Sequence, residues 1–342
     1  MKIKIMFIFI ITLLIKTNLF GAEIYKDSII ENKTLEGDII FTGTIYIKGR
    51  VTIPEGSSLT ITEGTKLIFL FIDEEKDGIG DSEILSQGIV KISGSLKNPV
   101  IFTGEKKQKG AWLGLSIMNV DKTNIIDYAI LEDSYMALHS HFSNLNINNS
   151  IFRNNFRGFQ SQEGNIIIRN CEFYNNHTAL QFRNSKALLE NIYIGNNYGG
   201  INFLYSEAEI KNITIQSNTL FNLKIRYSKA VLNNINVQKS NQNIYSKNSE
   251  IRIENFISSH SLLRGLSFED SIVFLSNGEI SFNLLDGISL DGTKLECNKL
   301  KLNGNSRYDF YIKNKSLLTG DCLNNVEKNK IYELPVDFSS NN

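Results

Sequence analysis

The sequence predicts an all-β chain wound into one long solenoid of roughly 10–12 coils. Three observations carry that prediction. Asparagine recurs at a single phase, at Asn149, Asn170, Asn191, Asn212, Asn234, Asn255, Asn277 and Asn298, in steps of 21 or 22 residues. Apolar residues keep the same beat: Ile147, Ile168, Leu189, Ile210, Leu232, Ile253 and Leu275 form one column, and Phe152, Phe173, Ile194, Ile215 and Val237 another. The runs between are short and β-like, with 3 prolines in 342 residues and no stretch of helical period. Around Asn170, Ile168 and Cys171 both face inward, so the alternation of a strand breaks there and the chain must bend. Asparagine tolerates the left-handed backbone of such a corner, and stacked amides can bond along the axis. The column is therefore read as structural.

Taken in order, residues 1–22 read as a signal peptide. Lys2 and Lys4 precede the apolar run from Ile5 to Ile15, and Gly21-Ala22 offers small residues before a cut at Glu23. The run is shorter than the about 20 residues that span a bilayer. Residues 23–123 read as an N-terminal cap and opening coils, with alternating runs such as Ile45-Tyr46-Ile47 and Leu59-Thr60-Ile61 between glycine turns. Residues 124–316 are the regular repeats, of 20–24 residues each. They carry a second polar column at Asn155, Asn176, Asn197, Asn218 and Asn283, with Ser240 and Ser261 in its gap. Residues 317–342 read as a C-terminal cap and tail, with Pro335 near the end.

Formal charge is zero, 36 basic against 36 acidic residues, so no global charge argues for nucleic acid or an anionic membrane. Cys171 follows a ladder Asn and reads as a small core residue. Cys297 and Cys322 lie about one coil apart, within the reach of a disulfide. Within residues 73–83, Asp73, Glu75, Asp77 and Asp81 place oxygens in the order of a calcium loop around Gly78, with Glu83 standing in for the usual last ligand. A structural calcium is expected there.

The coil NIIIRNCEFYNNHTALQFRNS, and the opening segments GRVTIPEGSSLTITEGTKLIF, DGIGDSEI, NPVIFTG and AWLGLSI, resemble right-handed parallel β-helix proteins of the pectate-lyase-like superfamily. The resemblance runs over residues 35–316. It implies the fold and an exported protein, and leaves activity open, because this scaffold carries lyases, hydrolases, epimerases, adhesins and non-catalytic proteins alike. It also implies that a substrate lies along the outer face of one stacked sheet.

The strand after the second polar column is the candidate for that face. Leu180 and Phe182 point inward there, and Gln181 and Arg183 outward. Carried along the repeats, the outward set is His139, His141, Gln160, Gln162, Gln181, Arg183, Asn202, Lys224, Arg226, Tyr245, Lys247, Ser267 and Glu269. Its basic middle suits an acidic glycan. The chemistry needed for turnover is less evident. Glu269 and Asp291 fall one coil apart at the far end, and no close Asp pair appears on the face. His139 and His141 have a spacing that can ligate a metal but no carboxylate companion. The expectation is an exported, non-catalytic protein binding a glycan or a protein partner along this face. A lyase or epimerase acting on acidic polysaccharide is the alternative, and a purely structural surface module a third reading.

Overall fold

A computed structural model describes residues 21–324 and 326–334. The apolar run of the signal-peptide reading, and Pro335, lie outside the described residues. All strands pair in parallel, and the chain rises through about 14 coils. This exceeds the expected number because residues 23–123 supply complete coils of their own. Glu23–Thr34 lies in register on Asp38–Ile53, which in turn carries Ser58–Thr62, Lys66–Phe69 and Glu83–Ser86. The turns of this opening part need glycine: Gly49 has φ 68°, and a Cβ there would collide with the Asn32 amide that binds Arg50 N–H. Among the described residues no helix is long and apolar enough to cross a membrane.

Each regular coil has three faces. Thr178–Arg183 belongs to face I, Asn165–Arg169 to face II and Glu172–Tyr174 to face III. From the next coil on, faces II and III join into continuous strands such as Lys186–Gly195. The corners use one device. A single residue enters the left-handed region, as at Asn170 (φ 53°), Asn175 (φ 57°) and Asn184 (φ 48°), and the next side chain turns inward, here Cys171, Asn176 and Ser185. Both expected apolar columns are buried, 0–1% exposed. The Phe152–Phe173 and Phe182–Phe203 rings stack at 4.7 and 4.8 Å, which is the strand spacing, so like residues fill the narrow interior without voids. Each such side chain contributes about 1.5–3 kcal/mol.

The outer asparagine column forms corners with φ of 50–55° from Asn149 to Asn277. Side-chain amides link Asn170, Asn191, Asn212 and Asn234 at 2.8–3.1 Å. Asn298 departs from it. It pairs with Ser276, and Lys299 (φ 53°) takes the corner, because the last step from Asn277 is 22 residues rather than 21. The second column is a buried ladder. Asn155, Asn176, Asn197 and Asn218 pass amide N–H to the next Oδ1 at 2.9–3.1 Å, and each Oδ1 also accepts a backbone N–H. Where serines interrupt it, Asn222 and Asn243 from face I carry it on, joined at 3.0 Å. Cys297 and Cys322 are disulfide-bonded, with Cα atoms 5.1 Å apart. Cys171 is buried, and burial pushes its thiol up to about 12.

Candidate functional site

Face I presents two outward rows in strict register. One runs His139, Gln160, Gln181, Asn202, Lys224, Tyr245, Ser267. The other runs His141, Gln162, Arg183, Leu204, Arg226, Lys247, Glu269. Strand alternation produces them: Leu180 and Phe182, Ile201 and Phe203, and Leu223 and Ile225 are fully buried between. The structure thus brings the expected residues of the face together, with Leu204 added to them.

The charges on this face are not equivalent. Tyr245 donates its hydroxyl to Glu269 at 3.0 Å, and Lys247 Nζ lies 3.3 Å from the same carboxylate. Asp291 is held by Lys313 at 2.6 Å. Glu269 and Asp291 are neighbours in one row, but each is engaged by a lysine, so they make no acid–base pair. Arg183, Lys224 and Arg226 have no carboxylate partner among the described residues. Lys224 sits between rings, its Nζ 5.8 Å from Phe221 and 5.7 Å from Tyr245. Burial, and then the charge of Arg226, lower its pKa below the ordinary lysine value. Burial and the Glu269 carboxylate push Tyr245 up to about 12.

Buried polar atoms without a hydrogen-bond partner gather here too. They include Arg226 Nε, Asn202 Oδ1 and His139 Nε2. Such atoms are costly in a folded protein unless water or a ligand completes their bonding. Aromatic side chains stand at the corners on both sides. Tyr205 and Tyr227 stack at 5.0 Å on one edge, and His177 and Tyr198 at 4.6 Å on the other. Beside Tyr227 a cleft of about 460 Å³ is lined by Leu220, Phe221, Lys224, Arg226, Tyr227, Gln242, Tyr245 and Lys247. A larger hollow of about 710 Å³ follows the outer asparagine corners, but its only charges are Glu279 and Lys301, which pair with each other. The chemistry lies in the smaller cleft.

Other expected sites fare differently. The His139 and His141 rings lie 6.2 Å apart, and burial, followed by the charges of His141 and Arg157, lowers the pKa of His139. No three His, Cys, Asp or Glu side chains assemble as a metal group among the described residues. In the 73–83 loop, Asp73 accepts the Asp77 and Gly78 N–H groups, Asp77 accepts that of Ile79, and Asp81 that of Glu74. Glu83 turns onto face I, 2.5 Å from Arg50 Nε. Within the expected set Asp73, Glu75, Asp77, Asp81 and Glu83, the first, third and fourth thus cap backbone N–H groups of their own turn and the last holds an arginine, an arrangement in which carboxylate oxygens remain for a cation.

The aromatic edges were missed in the sequence. Tyr205 and Tyr227 occupy corner positions, with φ of 52°, where the flanking coils place Asn184 and Asn248. A large ring at a turn was the available signal.

No family model and no curated protein matches the sequence. Among solved structures, the periplasmic alginate epimerase AlgG superposes with a TM-score of 0.55 at 12% identity, over 85% of each chain. The A-module of the mannuronan C-5 epimerase AlgE4 from Azotobacter vinelandii gives 0.44 at 12% identity, over 82% of this chain and 91% of that one. The catalytic domain of a GH87 alpha-1,3-glucanase gives 0.43 at 11%, over 82% and 64%. The chain shares the parallel β-helix fold of these structures. The expectation of a non-catalytic binder is corrected: AlgG, which superposes over 85% of the chain, is an epimerase, and the lyase or epimerase alternative accords with it better.

Proposed function

We propose that the protein is an exported enzyme that modifies an acidic polysaccharide lying along face I, by lyase or epimerase chemistry beside the uronate carboxylate. One observation carries this reading: Lys224 and Arg226 are cations without a carboxylate partner in one cleft, and Arg183 stands in the same row of face I two coils below. The epimerase neighbours support it.

Both reactions begin by removing the proton at C5 of a uronate, which is acidic only once the adjacent carboxylate is neutralised. Arg226, in the cleft with Lys224, supplies that charge, aimed before the reaction starts. Lys224, with its lowered pKa, takes the proton as a neutral amine. Tyr245 keeps its proton through the neutral range. In a lyase the C5–H electrons form the C4–C5 double bond, the C4–O bond breaks, and Tyr245 protonates the departing oxygen. In an epimerase a proton returns to C5 from the opposite side.

The test is incubation with polygalacturonate, alginate and glycosaminoglycans in deuterated water. Unsaturated ends are read by ultraviolet absorbance and deuterium at C5 by NMR. One product is expected, with about a 10²–10⁴-fold loss in Lys224→Ala. Neither product on any polymer, or full activity in that variant, overturns the proposal.

A further inference from the structure

Over three successive coils in the middle of face I, unpaired charge, a neutral coil and unpaired charge follow one another. The coil of Gln160 and Gln162 offers amides, with Arg157 at its edge turned to Gln160 and the Tyr135 ring. Arg183 is the cation of the next coil. The coil above it carries Asn202 and Leu204, both neutral, and the one after that Lys224 and Arg226. On the following coil Lys247 is neutralised by Glu269. Arg183 and Arg226 occupy the same row with Leu204 between, so they stand two strand spacings apart, about 9.6 Å. A disaccharide unit of an extended glycan chain is about as long as two coils are high. Successive sugars on this face therefore meet cation and neutral floor in turn.

The neutral coil has its own chemistry. Asn202 Oδ1 is a buried acceptor with no donor, and Leu204 is a half-buried apolar side chain beside it. An amide N–H satisfies the first and a methyl group covers the second. A uronate carboxylate placed there would meet an acceptor oxygen and an apolar surface, and would lose its hydration without a partner.

We infer that face I reads an alternating polymer, in which each uronate is followed by an N-acetylated sugar, rather than a continuous polyuronate. The inference rests on the glycan-modifying reading above and names its substrate class.

The experiment compares hyaluronan and chondroitin oligosaccharides with oligomannuronate and oligogalacturonate of equal length, by calorimetry and by turnover. The alternating oligosaccharides are expected to bind at least about tenfold more tightly, the 1.4 kcal/mol that a lost buried hydrogen bond supplies. De-N-acetylated oligosaccharide loses that advantage. Leu204→Lys, a substitution at the surface of the face, shifts preference toward the continuous polyuronates. Preference of the wild type for oligomannuronate or oligogalacturonate, or a Leu204→Lys variant with unchanged preference, overturns the inference and leaves the proposed function standing. Absence of binding and turnover with all four probes overturns both.

Discussion

At the scale of single residues, Lys224 concentrates the conflict between stability and chemistry. It is partly buried beside Arg226 with no acid to balance it, so its proton is held less tightly in the folded chain than in the unfolded one. The sign follows directly. Below the lowered folded pKa the native state carries a charge it solvates poorly, and this cost disappears only as pH rises past the unfolded value of 10.5. Lys224→Met is therefore expected to melt at or above the wild-type temperature at neutral pH while losing turnover. The wild-type kcat/KM should climb with pH along a limb centred below 10.5, and Lys224→Arg, which cannot release its proton, should lack the limb. A limb that persists in Lys224→Arg assigns the base elsewhere.

At the scale of the coil, two asparagine columns of similar appearance do different work. Asn197 is buried and bonds to Phe173 O, Gly195 O and Asn218 Oδ1 while accepting from Asn176. Asn191 is exposed, and its backbone is the feature that matters. Denaturant titration should show Asn197→Ala losing about 1–3 kcal/mol for each buried group it strands. Asn191→Gly, which keeps the left-handed corner, should change stability by only a few tenths of a kcal/mol. Near-equal losses would mean the inner ladder is not what holds the coils together.

The outer column was legible because a corner demands one residue type at one phase, and period-two alternation likewise placed Arg183, Lys224 and Arg226 on one face. Other features were hidden for physical reasons. Whether a charge is paired depends on the coil above, and a 21- or 22-residue step decides which residue stands there; that step moves Lys299 into the corner assigned to Asn298. The serines at 240 and 261 looked like gaps because Asn222 and Asn243 close the ladder from another strand. The acidic loop at 73–83 had the composition of a cation site, but composition does not say that backbone N–H groups engage its carboxylates first.

At the scale of the whole molecule, each coil touches chiefly its two neighbours, so stability is a sum of local terms. The Cys297–Cys322 disulfide closes a loop across a separation of 25 residues and fastens the final coils. Its reduction is expected to remove about 2–4 kcal/mol, and to do so locally. Hydrogen exchange should rise within Lys294–Asn303 and Phe310–Lys313 while Gly199–Leu204 and Phe221–Arg226 keep their protection. Uniform deprotection along the rod would instead show that the coils unfold as one unit.

The register between coils has a last consequence. Glu207 stands over Lys186, and Ser206 over Ser185, in a series of matched positions. Residues 186–206 are therefore a removable rung: joining Ser185 to Glu207 repeats the junction that Ser206 makes already. Such an excision would set Arg183 directly beneath Arg226 and erase the neutral step between them. The spacing of charge along face I is thus a property of chain length, a ruler whose graduations are whole coils and whose scale changes by insertion or deletion.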